Sequence, residues 1–265
     1  MKMIKSLTKA AACCMAIAAM LMFASCLPDG DGYNYTSQFA RVATIDYSSD
    51  PISFHCDYTN EKFVFTNVTS ADDLGPFDLK GAKRALLNIY MEANAKAANY
   101  ELISGAPIHA EAVCGKLPAD ATLNPVYGFT RLELDTWSYP YAWVSRGYLS
   151  IVPQILSDAD ATPYLVPKAV SGDTLCFDLR MAYELGKKNY RSQYACFDLR
   201  TLADTAQADA AVKPVMKEMI DRVNMGDTVM ARISAYYKTA YPDTVITATV
   251  PTSYFSLQIP WSIDN

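Results

Sequence analysis

From residue 38 onward, apolar and polar residues alternate with a period of two along many short segments. Such alternation is typical of strands that have one buried and one solvated face. Polar turns separate the segments. In the first part of the chain the pattern predicts five strands, enough to complete a small barrel. These strands are expected at residues 39–45, 52–56, 63–65, 83–92 and 100–113.

The alternation breaks at residues 115–120, and we place a domain boundary there. The sequence therefore predicts a first β domain over 38–115 and a second domain over 120–265. Beyond the boundary the alternation resumes and predicts six further strands. They are expected at 131–136, 143–155, 174–183, 190–199, 228–237 and 244–250.

The pentapeptide Cys-Phe-Asp-Leu-Arg occurs at 176–180 and again at 196–200. Two occurrences do not make a solenoid, which needs at least three repeats. The repetition fits two sequential antiparallel strands that direct Phe and Leu inward and are joined by a hairpin at 184–189. In such a hairpin Cys176 and Cys196 are able to face each other, although the pattern does not force them to pair.

One segment follows a helical period instead. From Val212 to Val223, apolar residues recur at spacings of three and four, opposite a charged face. Asp209 is placed to cap the first turn, and Gly226 follows the end. The pattern predicts an amphipathic helix over about 209–224 that covers one end of a sheet.

Residues 1–25 have the features of a signal peptide rather than of the folded protein. Three Lys precede an uncharged stretch at 10–23, which is shorter than the ~20 residues that cross a bilayer as a helix. The stretch ends in Phe-Ala-Ser-Cys at 23–26, which is similar to a lipobox. Cleavage before Cys26 would leave a residue that carries a diacylglyceryl thioether and an acylated amine. The alternative is an ordinary secretory peptide with an incidental Cys.

Residues 26–37 predict a flexible tether between the lipid and the folded part. Asp29 and Asp31 in this tether resemble the acidic export signal of lipoproteins that reach the outer leaflet of the outer membrane. A plain solvated linker is the alternative. Because stable anchoring takes more than one acyl chain, three chains on Cys26 would hold the protein on a membrane. We therefore expect no cofactor apart from this covalent lipid.

Charge and composition exclude several classes of protein. Nucleic-acid binding needs a basic face. Removing residues 1–25 leaves 20 basic against 28 acidic side chains. The abundant aromatic residues exclude intrinsic disorder. Four Cys remain in the predicted folded part, and their pairing is left open; no Cys or His spacing is typical of a metal site. These four are Cys56, Cys114, Cys176 and Cys196.

The sequence offers little for catalysis. General acid–base chemistry at neutral pH most often uses His, and the chain has two, His55 and His109, both in predicted strands. Neither a nucleophile elbow nor a phosphate-binding loop occurs. We therefore expect a protein that is not an enzyme and has no catalytic residues.

Four large aromatic residues lie within seven positions, interrupted by a proline. If exposed, they would form a platform that stacks on sugar rings or receives an apolar side chain of a partner. If buried, Trp143 is a core residue of the second domain. The candidate ligand-binding residues are Trp137, Tyr139, Tyr141 and Trp143.

The chain resembles the NigD-like lipoproteins of anaerobic diderm bacteria in three features. These are the lipobox with its acidic tether, the opening strand Phe-Ala-Arg-Val-Ala-Thr-Ile at 39–45, and the Tyr-Leu-Ser strand within 143–151, where Ser150 replaces the family's usual Asn. The resemblance implies an OB-like β-barrel domain followed by a β-sandwich-type domain. The fold class is then mainly β, with one amphipathic helix. The resemblance implies no agreed activity.

The sequence therefore predicts a lipid-anchored envelope protein at the outer membrane that binds or organises a partner. Two alternatives remain open at this point. One is a surface lipoprotein that binds a glycan or a peptide through the aromatic residues at 137–143. The other is a bacteriocin-immunity or adhesin-like component, which would present a sheet edge or a flat apolar patch.

Overall fold

The structure is a computed structural model of the chain. It describes residues 35–57, 59, 61–94, 97–134, 137–139, 141–186, 189–224, 229–238, 245–246 and 255–257. By contacts, residues 36–91 and 99–265 form one unit, which is described below, while Met1–Tyr35 and Glu92–Ala98 form another. The predicted signal peptide, Cys26 and most of the predicted tether lie outside the described residues.

Alternating apolar residues build the first sheet, as the sequence pattern predicts. Its strands are β1 (Tyr35–Asp46), β2 (Ser53–Cys56), β3 (Lys62–Phe63), β4 (Arg84–Ala93) and β5 (Ala98–Pro107). They lie in the order β3-β2-β1-β4-β5. A 3₁₀ helix at Asp72–Phe77 follows β3. Phe54, Leu87 and Ile89 are fully buried in one core, and burying each such side chain contributes about 1.5–3 kcal/mol.

The prediction of a mainly β fold is confirmed, but the described sheets are not closed into a barrel. The physical reason lies in β3, which is two residues long and offers little ladder for closure. Instead of a strand ladder, individual hydrogen bonds connect the loop after β3 to β5. The Thr66 amide donates to the Tyr100 carbonyl over 2.9 Å. The Asn67 side chain bonds both backbone groups of Leu102, at 2.9 and 3.0 Å.

The rest of the described chain consists of short strands, a second 3₁₀ helix (Leu199–Ala203) and one α-helix, α1 (Lys213–Asn224). The strands are β6 (Glu111–Ala112), β7 (Leu123–Asn124), β8 (Gly128–Phe129), β9 (Glu133–Leu134), β10 (Trp137–Ser138), β11 (Ala142–Ser145), β12 (Tyr148–Ile151), β13 (Pro153–Leu156), β14 (Thr162–Ser171), β15 (Thr174–Ala182), β16 (Tyr190–Ser192), β17 (Ala195–Asp198), β18 (Val229–Ala235), β19 (Tyr237–Lys238), β20 (Val245–Ile246) and β21 (Phe255–Leu257).

Two larger sheets share a core in this part of the chain. One has the order β11-β12-β17-β6, and the other has the order β14-β15-β18-β21, with β7 pairing to β15. Leu149 and Phe197 from the first sheet lie in one buried cluster with Leu165 and Phe177 from the second. Two sheets around one core is the arrangement of a β-sandwich. The smaller sheets are β16-β13-β8, β9-β10 and β19-β20.

Helix α1 is confirmed, with a later start than expected. It begins at Lys213, whose amide donates to the carbonyl of Asp209 over 3.0 Å, so Asp209 starts a preceding turn rather than the helix itself. Met216 and Met219 are fully buried in the shared core. The helix therefore packs its apolar stripe on the sheet that contains β14.

The predicted hairpin over 174–199 is wrong. Strand β15 pairs antiparallel with β14 and parallel with β18, whereas β17 pairs with β12 and β6 in the other sheet. Strand β14, which the sequence pattern did not predict, lies beside β15 at the position where β17 was expected. Cys176 and Cys196 therefore lie in different sheets, and Cys56, Cys114, Cys176 and Cys196 are all free thiols.

No strand was expected at β14, which contains Pro163 and Pro167. Proline argues against a strand in the middle of a sheet. The backbone of β14 explains why both prolines are tolerated. The Leu165 carbonyl accepts from the Cys114 amide over 2.8 Å, so Leu165 directs its backbone groups away from β15. Pro163 and Pro167 lie two residues before and after Leu165, so their backbone groups also face away from β15. The N–H groups that these prolines lack would therefore lie at the edge of the sheet. The two prolines therefore block strand addition at this edge.

The expected strand over 143–155 is broken in two places. Arg146 and Gly147 have positive φ angles of 50° and 78° and form the tight turn between β11 and β12. Primed turns with this geometry match the twist of a hairpin. Val152 then separates β12 from β13, which lies in another sheet.

Candidate functional site

The aromatic side chains at 137–143 that the structure describes do not form an exposed platform. Tyr139 is 0% exposed and Trp143 is 2% exposed, whereas Tyr141 is 44% exposed. The side chain of Trp137 lies outside the described residues. The buried interpretation of Trp143 is therefore the one that the structure supports, and a ligand-binding role for Tyr139 and Trp143 does not fit their burial.

Tyr139 and Trp143 instead hold the second part of the chain against the first sheet. The indole N–H of Trp143 donates to Oδ2 of Asp57 over 2.7 Å. The hydroxyl of Tyr139 accepts from the amide of Val42 over 3.1 Å. Their rings pack with centroids 4.9 Å apart. Both polar groups are thus satisfied inside the protein, as buried tyrosine and tryptophan usually require.

A buried ion pair lies at this junction. Arg84 on β4 donates from both terminal nitrogens to Asp57, at 3.1 and 2.5 Å, and both side chains are 0% exposed. Arg84 also donates to the hydroxyls of Thr44, Ser150 and Tyr194, at 3.0, 3.3 and 3.4 Å. A buried charge is tolerated when it is paired and hydrogen-bonded in this way.

The junction favours the charged form of Arg84 and the neutral forms of Tyr194 and Cys196. Burial lowers the pKa of Arg84, but Asp57, together with smaller contributions from Cys196 and Tyr194, raises it, and the resulting pKa lies above its ordinary value. Burial raises the pKa of the Tyr194 hydroxyl and of the Cys196 thiol, although Arg84 opposes both shifts. Cys196 is therefore a protonated thiol at neutral pH and a poor nucleophile.

A cleft of about 430 Å³ opens beside this junction. Its walls include Val42 and Leu86 from the first sheet, Ile108 from the connection between β5 and β6, Pro163 from β14, and Tyr194 just before β17. We call it the central cleft. Apolar side chains with a few polar groups are typical of a site that binds a ligand.

The nearest approach to catalytic geometry surrounds His55. Its Nε2 lies 3.5 Å from both Oδ2 of Asp46 and Oγ of Ser53, and its Nδ1 accepts from Arg146 over 2.7 Å. A catalytic triad needs the carboxylate and the hydroxyl on opposite ring nitrogens. Here both approach the same nitrogen, and Ser53 is 0% exposed. The set therefore lacks the geometry to attack a substrate.

Protonating His55 should destabilise the fold. Burial, then Arg146 and to a smaller extent Lys62, lower its pKa below the usual 6.5, while Asp46 opposes them. The folded state therefore binds this proton less readily than the unfolded state. The contribution of His55 to stability should be constant above about pH 7 and fall as the pH drops through 6.5 towards the folded-state pKa.

Urea titrations between pH 8 and pH 5.5 will test this expectation. We expect the His55→Gln variant to lose much of the pH dependence, because Gln has no proton to gain in this range. The matched control is His109→Gln, since the His109 side chain is 83% exposed. Identical pH slopes for wild type and His55→Gln would contradict the account.

His109 lies 3.6 Å from Glu111 at the rim of the central cleft. Within the part of the chain that the structure describes, no group of three or more His, Cys, Asp or Glu side chains could hold a metal ion. In the same residues, no helix has the length and apolar character needed to cross a bilayer.

No family model matches the chain, and no curated protein matches it. Among solved structures, it is similar to a candidate lipoprotein from Bacteroides fragilis NCTC 9343, with 16% identity, a TM-score of 0.51, and coverage of 77% of this chain and 90% of that one. A NigD-like immunity protein from Bacteroides caccae ATCC 43185 gives 16% identity, a TM-score of 0.42, and coverage of 80% and 90%.

A candidate toxin-related protein from Parabacteroides distasonis ATCC 8503 gives 16% identity, a TM-score of 0.48, and coverage of 76% and 88%. The solved structures to which the chain is similar thus include one described as a NigD-like immunity protein. At this level of identity, the similarity to the B. fragilis structure shows a shared fold and nothing about a ligand.

Sequence reasoning missed the residues that build the junction, namely Asp57, Arg84 and Tyr194. A signal existed for Arg84, a charged residue at the start of a strongly apolar strand. Ser150, singled out because it replaces an Asn in the resemblance, accepts from both Arg84 and Tyr194. The pattern in one strand does not show which distant element will cover its polar face.

Proposed function

We propose that this chain is a lipid-anchored protein of a diderm cell envelope, held at the outer membrane by acyl chains on Cys26. The observation that carries the proposal is the lipobox-like Phe-Ala-Ser-Cys at 23–26, which directly follows a short apolar segment. The described fold, which is shared with a candidate lipoprotein, supports it.

We further propose that the protein is not an enzyme and that it binds a partner through the central cleft. The lining supports binding, since it combines aliphatic walls with a polar rim. The geometry around His55 and the protonated state of Cys196 offer no activated nucleophile. Association with a partner therefore accounts for the site better than chemistry does.

Replacing Cys26 with Ala should release the protein from the membrane. Wild-type cells grown with labelled palmitate should incorporate label into the chain, and the protein should sediment with outer membranes. The Cys26→Ala variant should lose the label completely, because the lipobox-like segment then has no thiol to acylate. The matched control is Cys176→Ser, which alters a thiol of the folded part and should remain labelled. Equal labelling of Cys26→Ala and wild type would refute the anchor.

A further inference from the structure

Three cavities follow one another along residues 104–116, and together we call them the groove. A cavity of about 500 Å³ on the first sheet shares Leu86 and Ala106 with the central cleft. Another, of about 480 Å³, shares Glu111 and Pro163 with it. Fully extended, a segment the length of 104–116 spans up to ~45 Å. A groove that follows such a segment suits a linear chain better than a compact small molecule.

We propose that this groove binds an extended peptide that carries an apolar side chain and, near it, a Lys or Arg. The inference rests on the proposed function, because it names the class of partner that the central cleft receives. The apolar side chain enters the central cleft. The cationic side chain lies at Glu111, where the central cleft meets the third cavity.

The walls of the central cleft favour a peptide over a glycan. Val42, Leu86 and Ile108 offer aliphatic surface, which complements apolar side chains. Sugar rings are recognised on exposed aromatic faces, and Tyr194 is already engaged. Its ring packs against Trp143 at 5.8 Å, and its hydroxyl donates to Ser150 over 2.8 Å.

The charges of the groove favour a cation. Glu111 is partly exposed, and its ion-pair partner is His109, which is charged only if protonated. Asp204 adds a second carboxylate to the third cavity, and Lys116 offsets one of the two. The remaining negative charge would gain a charge-assisted hydrogen bond from a Lys or Arg of the peptide.

The edge of β14 determines how the peptide is held. Because Pro163 and Pro167 remove two N–H groups from this edge, a peptide cannot extend the sheet here through a regular ladder. Recognition therefore depends on pockets for side chains and on charge, and the spacing between the apolar and the cationic residue should decide affinity.

A peptide array tests this proposal on the detergent-solubilised full-length protein. The probes are 12-residue Gly-Ser peptides that place one Leu or Phe and one Lys at every mutual spacing. Matched probes carry Glu in place of Lys. A panel of neutral oligosaccharides is measured beside them. We expect binding to Lys probes at a preferred spacing and at least about tenfold weaker binding to the Glu probes.

Variants at the groove test whether the peptide binds there. Ala106 is exposed and lines two of the cavities, so Ala106→Trp should block the groove and weaken the best probe about tenfold or more. Glu111→Gln should weaken the Lys probes and should not weaken the Glu probes. Glu101 is exposed on β5 at the opposite parity to Ala106, so Glu101→Gln is the matched control and should change nothing.

Three results would each overturn the proposal: no Lys probe binds, Ala106→Trp binds as well as wild type, or an oligosaccharide binds in the groove in place of the peptides. The last result would leave binding by the central cleft intact and change the class of partner. Loss of the anchor at Cys26 would not affect any of these measurements, so the two proposals fail separately.

Discussion

Replacing Arg84 with Met should lower the free energy of unfolding by about 3–5 kcal/mol, because it leaves the Asp57 carboxylate buried without its cation. Both side chains are 0% exposed, so water cannot take the place of the lost partner. Domains of this kind are stable by only about 5–15 kcal/mol. The variant should therefore unfold at a much lower urea concentration than wild type.

A double variant separates the ion pair from general packing. Arg84→Met combined with Asp57→Asn removes both charges and keeps an amide oxygen for the indole of Trp143. Since a buried pair replaced by neutral groups often costs little, we expect it to recover at least half of the lost stability. A loss below 1 kcal/mol for Arg84→Met alone would show that the pair is not buried as described.

Replacing Trp143 with Phe should lower the free energy of unfolding by about 2–4 kcal/mol. The smaller ring leaves a cavity beside Tyr139 and Tyr194, with which Trp143 packs at 4.9 and 5.8 Å. The change also removes a hydrogen bond to the buried Asp57. Urea unfolding followed by circular dichroism measures the loss.

The matched control for Trp143 is its neighbour Tyr141. Tyr141 is 44% exposed, and its ring lies 5.4 Å from the Arg131 guanidinium, a contact that Phe retains. Tyr141→Phe should therefore change the stability by less than about 0.5 kcal/mol. If Trp143→Phe were equally mild, the aromatic residues would belong to the surface, and the exposed-platform alternative would have to be reconsidered.

Local alternation predicted the strands and their faces well. Strand β4 appeared almost at its expected bounds, with Leu87 and Ile89 facing the core and Arg84 on the opposite face. The alternation did not show that Arg84 is buried although it lies on this opposite face. Residues that are distant in sequence form a second layer that covers Arg84. The alternation within β4 gives no information about that layer.

Pairing between distant strands was not readable from the sequence. The repeat at 176–180 and 196–200 suggested neighbours, yet the two copies lie in different sheets. Each copy shows only that its Phe and its Leu are buried. A segment with this pattern can lie in either sheet of the core. Strand β14 was missed. Its prolines are compatible with a strand because the N–H groups that they lack would face the sheet edge, and only the strand pairing shows which residues face that edge.

The candidate site was predicted less well than the fold. Two of the four aromatic residues proposed for binding serve the junction, because their polar atoms find partners there and their rings pack inside. The central cleft combines residues from both sides of the predicted domain boundary, such as Val42 and Tyr194. A cavity assembled from distant segments leaves no local motif in the chain.

Mass spectrometry of the N-terminal peptide, isolated from membranes, tests the anchor most directly. We expect the mature chain to begin at Cys26 and to carry the mass of a diacylglyceryl group and one further acyl chain. A mature protein that begins at another residue, or a Cys26 that carries no lipid, would contradict the proposed attachment to the envelope.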